Sequence, residues 1–224
     1  MAFDFLSEFD KKILNPRFLL RLLLYLLGNF VLAFGVAVAV KSDLGITPVN
    51  SIAYVISRIT SIDHGLATFI IYTGYVLFQI VILRGEFNPL SFLQIAVAGI
   101  FGWFVSINNS LLSFPAPDAY WLRVLLMLVS VVIVALGIML YLKAGLLPQP
   151  AEGLLLAIQK KTGWKLSNIK ISFDCSVVAI AAAVSLLTVH RIVGIREGTL
   201  MAMLGVGKIM GFFSEHLDRM VRPI

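Results

Sequence analysis

The chain has 224 residues, of which 59% are hydrophobic and only 13% charged, with a strongly positive mean hydropathy. That composition excludes a water-soluble globular domain and indicates an integral membrane protein. The net charge of +6 does not point to nucleic acid, because Lys and Arg are scattered at the ends of apolar runs, not gathered in a basic stripe with interleaved aromatics.

The segment 1–16 carries Phe3, Phe5, Leu6 and Phe9 among polar residues and stops at Pro16, which reads as a short amphipathic helix lying at the membrane interface. Beyond it, apolar runs near 18–40, 66–83, 90–113, 119–142, 171–189 and 198–217 are each long enough to cross about 30 Å of hydrocarbon, predicting about six transmembrane helices. The first run ends in Ala37-Val38-Ala39 as a signal peptide would, yet Arg21 interrupts it and it exceeds a typical signal core. It is read as a retained span.

Between full spans lie two short amphipathic segments, Pro48 to Thr60 and Pro150 to Thr162. Each opens with Pro, suited to a first helical turn, and runs about 13 residues, roughly 20 Å, which is too short to span comfortably. The two also align without a gap. Ala33/Ala135, Gly35/Gly137, Lys41/Lys143, Leu44/Leu146, Pro48/Pro150, Ile56/Ile158 and Thr60/Thr162 are identical pairs at one constant offset. Two internal repeats are therefore expected, with 17–113 as the first, 114–118 as an external linker and 119–224 as the second. Half-helices that enter and return leave three spans per repeat, an odd number that inverts one repeat relative to the other. Crossing helices would make the repeats parallel. Length favours inversion; the charge bias does not separate the two.

The expected fold is thus an all-α polytopic membrane protein with two short broken or re-entrant helices. The distribution of Lys and Arg places both termini in the cytoplasm. The small residues Gly99, Gly102, Gly205, Gly207 and Gly211 are expected to serve close helix packing.

Polar side chains at membrane depth each cost about 2.5–3.5 kcal/mol on insertion scales unless paired or wetted, so they mark candidate sites. Glu152 stands in the first turn of the second short helix. A carboxylate there either complements the helix dipole or accepts a proton or a cationic ligand. Asn50 is its counterpart in the first repeat, and Gln149 directly precedes Pro150. Asp174 follows Lys170 by one helical turn, which fits an interfacial ion pair as well as a site. Lys208 lies among glycines and methionines in the last run, and Tyr54, Tyr72 and Trp103 supply aromatic surface. These residues, with Pro48 and Pro150 as the helix breaks, form the candidate ligand-binding set.

Nothing in the sequence suggests a cofactor, a metal centre or an enzyme. There is no phosphate-binding Gly-x-x-x-x-Gly-Lys-Ser/Thr loop, no His-Glu-x-x-His, and His64, His190 and His216 are dispersed. The single Cys175 excludes an internal disulfide.

Leu44-Gly45-Ile46-Thr47-Pro48-Val49-Asn50 and Leu146-Leu147-Pro148-Gln149-Pro150-Ala151-Glu152, then Thr162-Gly163, Lys170 with Asp174, and Gly198-Thr199 resemble the pattern of the YczE/YyaS group of bacterial membrane proteins, which is distantly similar to the YitT group. The likeness covers nearly the whole chain. Asn50 stands where the pattern has an acid, Leu147 where it has glycine, and Asn88-Pro89 where a Gly-Thr step is expected in the first repeat. The resemblance implies a multi-pass protein of the bacterial inner membrane acting as a transporter or permease, and it supplies no substrate. The expected partners are lipid and a small, partly apolar organic solute with a cationic or zwitterionic group. Nucleic acid is not expected, and a homodimer is compatible with the sequence. Two alternatives stay open: a substrate-binding membrane subunit served by a separate energising complex, and a channel.

Overall fold

The computed structural model describes the backbone of residues 18–220 and side chains to residue 210. The expected interfacial segment 1–16 lies outside the described residues. The chain forms helices α1 (Phe18–Ser42), α2 (Ser51–Thr60, entered through a 3-10 turn at Pro48–Asn50), α3 (His64–Leu83) and α4 (Leu93–Leu111). After a connection it forms α5 (Tyr120–Ala144), α6 (Pro150–Thr162), α7 (Leu166–Val189) and α8 (Glu197–Met220). The described residues are all-helical in their regular structure, which keeps the backbone internally bonded in lipid.

Among the described residues, five helices are long and apolar enough to cross a membrane, namely α1, α3, α4, α5 and α7. The last expected run forms α8, whose 24 residues reach about 36 Å. Glu197 and Lys208 dilute its apolar character, so it is not among those five.

The boundaries follow the offset seen in the sequence. Ser42 and Ala144 end α1 and α5, Pro48 and Pro150 open the short helical segments, Thr60 and Thr162 close them, and His64 and Leu166 open α3 and α7. Each short helix stops at a left-handed residue, Ser61 at φ 58° and Gly163 at φ 70°. In the last turn of each, the threonine hydroxyl donates to the carbonyl one turn back, Thr60 to Ile56 at 2.7 Å and Thr162 to Ile158 at 2.9 Å.

At the centre, α1 and α5 run antiparallel in the most extensive helix contact of the molecule. Ser130 Oγ donates to the Gly35 carbonyl at 2.8 Å, and Ser42 Oγ lies 3.7 Å from Met127 Sδ. The approach is close because glycines face backbone. A Cβ on Gly137 would lie 2.6 Å from Leu32 Cα, one on Gly35 would lie 2.8 Å from the Val134 nitrogen, and one on Gly28 would strike the backbone of Tyr141. Leu32 and Val134 are equivalent under the same offset as Gly35 and Gly137, so the contact is reciprocal. The antiparallel pair α3/α4 uses the same device, with Gly65 against Gly102.

These contacts define two ends of the bundle. At the first end lie the end of α1 and the starts of α5 and α8, tied by Asp43 to Arg123 at 2.9 Å and to Arg196 at 3.7 Å. The start of α3 and the end of α4 join them, since Lys41 lies 5.9 Å from the Phe114 ring and the Asp63 carboxylate accepts from Ser106. At the second end, Glu86 after α3 meets Lys160 and Lys161 at the end of α6, at 3.1 and 2.5 Å.

Neither short helix crosses between these ends. The opening of α2 sits at the middle of α3, where Tyr72 donates to Asn50 Oδ1 at 3.1 Å, and its body returns to the first end, where Tyr54 packs on His64. The opening of α6 sits against the middle of α1, where Gln149 Nε2 donates to Asn29 Oδ1 at 2.6 Å, and it leaves at the second end. Both short helices therefore start inside the bundle and exit at opposite ends. Each also packs on the other half, α2 on α7 and α6 on α3.

Candidate functional site

The two half-helix openings bring the polar residues of the breaks into the apolar core, which is built from Tyr25, Leu32, Tyr72, Tyr75, Phe101, Tyr141, Ala151 and Leu154 among others. Local chemistry fixes each opening. Pro48 and Pro150 need no backbone donor bond at a first helical turn. Asn50 is buried and fully engaged, accepting from Tyr72 and donating through Nδ2 to Thr47 Oγ1 at 2.9 Å. The Tyr75 hydroxyl lies 3.4 Å from the Val49 carbonyl.

The second opening is held by amides. Gln149 is 1% exposed and bonds Asn29, whose Nδ2 donates to the Tyr25 carbonyl at 2.8 Å. Gln79 Nε2 donates both to Gln94 Oε1 at 2.8 Å and to the Pro150 carbonyl at 3.0 Å. Gly153 passes directly over this amide pair, and a Cβ there would fall 2.7 Å from Gln94 Oε1. α3, α4 and α1 thus locate the first turn of α6 through four side-chain amides.

Glu152 stands in that first turn, and its Oε2 is enclosed without a hydrogen-bond partner. The hydroxyls of Tyr25 and Tyr141 are enclosed and unpartnered in the same way. The two rings meet edge to face at 6.1 Å, and the Tyr141 hydroxyl faces the Glu152 carboxylate. The nearby cation, Lys170, is held by Asp174 at 2.5 and 2.7 Å. This pair is not the exposed interfacial pair that its spacing suggests. The Asp174 side chain is only 6% exposed while that of Lys170 is 44% exposed, because α7 turns Asp174 toward Tyr75 and the core.

Of the candidate set, Asn50, Gln149, Glu152, Tyr72 and Asp174 come together around this core with Pro48 and Pro150. Tyr54 is buried on α2 at the first end, beside Arg58, His64 and Gly194. Trp103 is 63% exposed and packs beside Phe104, and Lys208 is exposed on α8; neither reaches the cluster. Residues the sequence did not single out complete it: Tyr25, Asn29, Gln79, Gln94 and Tyr141. The amides Gln79 and Gln94 carried a usable signal, since each interrupts an apolar run. The tyrosines carried none, because Tyr in such a run reads as ordinary span or interface.

A family model described as a family of unknown function (DUF6198) matches residues 19–215. The uncharacterized membrane protein YczE of Bacillus subtilis (strain 168) is 25% identical over 169 residues, covering 75% of this chain and 76% of that protein. An uncharacterized protein of Haemophilus influenzae is 25% identical over 191 residues, covering 85% of this chain and 81% of its own. No solved structure matches. With both half-helices, Glu152 and its tyrosines all inside the matched span, the chain belongs to the DUF6198 family, a group of YczE-like membrane proteins.

Proposed function

We propose that the chain is a secondary transporter for a small, partly apolar organic solute, with its site between two inverted repeats and Glu152 as the proton or cation acceptor. The observation that carries this reading is the enclosed Glu152 carboxylate at the start of a half-helix inside the bundle. Discontinuous helices meeting from opposite ends at an ionisable residue are the usual architecture of a coupled transport site. The constant offset of the helix boundaries, the reciprocal Gly35/Val134 and Gly137/Leu32 contacts, and the antiparallel run of α1 and α5 support the inverted repeats.

Each end of the bundle carries a small cluster of ion pairs that we read as a latch, Asp43 with Arg123 and Arg196 at one end and Glu86 with Lys160 and Lys161 at the other. Exposed pairs of this kind are worth little in water, so either latch opens at low cost. An enclosed site with a weak latch at each end suits alternating access. Lys160, Lys161, Lys165 and Arg84 gather at the second end, which we assign to the cytoplasm, with both termini there and the chain in the bacterial cell membrane.

Two experiments test this reading. In a Cys175→Ser background, Thr60→Cys and Thr162→Cys, both at exposed positions, are expected to react with an impermeant maleimide from opposite sides of the membrane. Labelling from the same side would show parallel repeats. For function, proteoliposomes containing only this chain and bathed in a defined mixture of small metabolites are expected to take up at least one solute saturably, read by mass spectrometry of the lumen. Uptake that requires an added ATPase, or ion current without saturation, would overturn the transporter reading in favour of a subunit or a channel.

A further inference from the structure

We propose that the enclosed oxygens of Tyr25, Tyr141 and Glu152 seat the primary ammonium head of a small amine. This deepens the transport reading above, and rests on it only for the claim that the amine is moved. Buried polar atoms are nearly always paired, and leaving one without a partner is destabilising. Here three occur together, Tyr25 Oη, Tyr141 Oη and Glu152 Oε2. The tyrosine residues are 4% and 1% exposed, their ring centroids lie 6.1 Å apart, and both lie within the field of the Glu152 carboxylate.

The Tyr141 hydroxyl faces the Glu152 carboxylate and the Tyr25 hydroxyl lies beside Asn29, yet neither closes to hydrogen-bond geometry, and the other polar side chains around them are engaged elsewhere. Asn50 is taken by Tyr72 and Thr47, Gln149 by Asn29, and Lys170 by Asp174. What remains is therefore a set of oxygens in an apolar cluster that carries one formal negative charge whenever Glu152 is ionised. A water molecule would satisfy the hydroxyls and leave that charge uncompensated, which is the costly part. A hard metal cation looks for about six oxygens, more than the three that are free. An –NH3+ group brings one positive charge and three donors with no acceptor, one donor for each unpartnered oxygen. A quaternary ammonium brings the charge without donors, and adds no hydrogen bond to any of the three oxygens.

The test is isothermal titration of the full chain in detergent with methylammonium, tetramethylammonium and potassium chlorides. Methylammonium is expected to bind saturably, with tetramethylammonium and potassium at least about tenfold weaker. Tyr25→Phe and Tyr141→Phe keep the rings and are each expected to weaken methylammonium about tenfold, the range of one hydrogen bond to a charged group; Glu152→Gln is expected to abolish it. Thermal melts establish that each variant is folded. Failure of the natural chain to bind methylammonium, equal binding of the other two cations, or unchanged affinity in folded Tyr141→Phe would overturn the proposal. Methylammonium binding without flux of any solute in proteoliposomes would overturn transport and leave this site standing. Saturable flux of other solutes without methylammonium binding would do the reverse.

Discussion

Gly137→Leu is expected to prevent the chain from reaching a monodisperse folded state in detergent, and Gly137→Ala to lower its melting temperature clearly. A Cβ at this position lands 2.6 Å from Leu32 Cα and 2.8 Å from Leu32 Cβ, so the clash is with backbone that cannot rotate away. Overpacking typically costs about 1–3 kcal/mol even where side chains can adjust. Here α1 and α5 must separate, and their contact is the largest in the bundle. Lipid offers no hydrophobic drive to restore it, since helix association in a bilayer depends on close packing itself. Gly28→Ala, which meets the backbone of Tyr141, is expected to act likewise. The control is Gly74→Leu on α3, where a Cβ meets nothing within 4 Å; it is expected to leave size-exclusion behaviour and melting unchanged. Equal tolerance of Gly137→Leu and Gly74→Leu would show that the α1/α5 crossing is not a determinant of the fold.

The same crossing shows what the sequence could and could not disclose. Pro48 and Pro150 announce the half-helices because a proline start followed by a run too short to span has few other readings. Length alone favoured their entering from opposite sides, and charge gave no help. Basic residues divide almost evenly between the loops that inversion would exchange, whereas the packing of Asn50 on Tyr72 and of Lys161 on Glu86 determines where each short helix begins and ends. Glu152, Asn50 and Gln149 were legible because polar residues beside a helix break are expensive in lipid unless used. Tyr25 and Tyr141 were not, since both lie in long apolar helices where lipid-facing and core-facing residues are equally hydrophobic and helical phase gives no contrast. Lys208 and Trp103 err in the opposite direction: they look anomalous in an apolar run, yet α8 and α4 turn them outward. Lys170 and Asp174 combine both effects, with a spacing typical of a surface pair and a register that buries the acid.

Replacing Glu152 with Gln is expected to leave a folded protein that no longer accumulates solute against a gradient when driven by protons. Coupling without ATP requires a group that binds the driving ion and the solute in linked fashion, and a carboxylate at the mouth of a half-helix meets that condition. The groups facing it are Tyr25 from α1, Tyr72 from α3, Tyr141 from α5, and Lys170 with Asp174 from α7. The tyrosines are neutral and Lys170 and Asp174 compensate each other, so Glu152 is the group whose charge is free to change with proton binding. If the carboxylate holds either a proton or a cationic solute, each expels the other, and a proton gradient drives exchange. Gln keeps the shape and removes the charge. Uptake into proteoliposomes by Glu152→Gln is therefore expected to be the same with and without an imposed pH gradient, while the natural chain accumulates solute only with one. Asp174→Asn is expected to impair gradient-driven uptake less than Glu152→Gln does, because it leaves the Glu152 carboxylate in place and disturbs it only through Lys170. Gradient-driven accumulation by Glu152→Gln at the natural rate would exclude the coupling role and leave the carboxylate as the charge that starts α6.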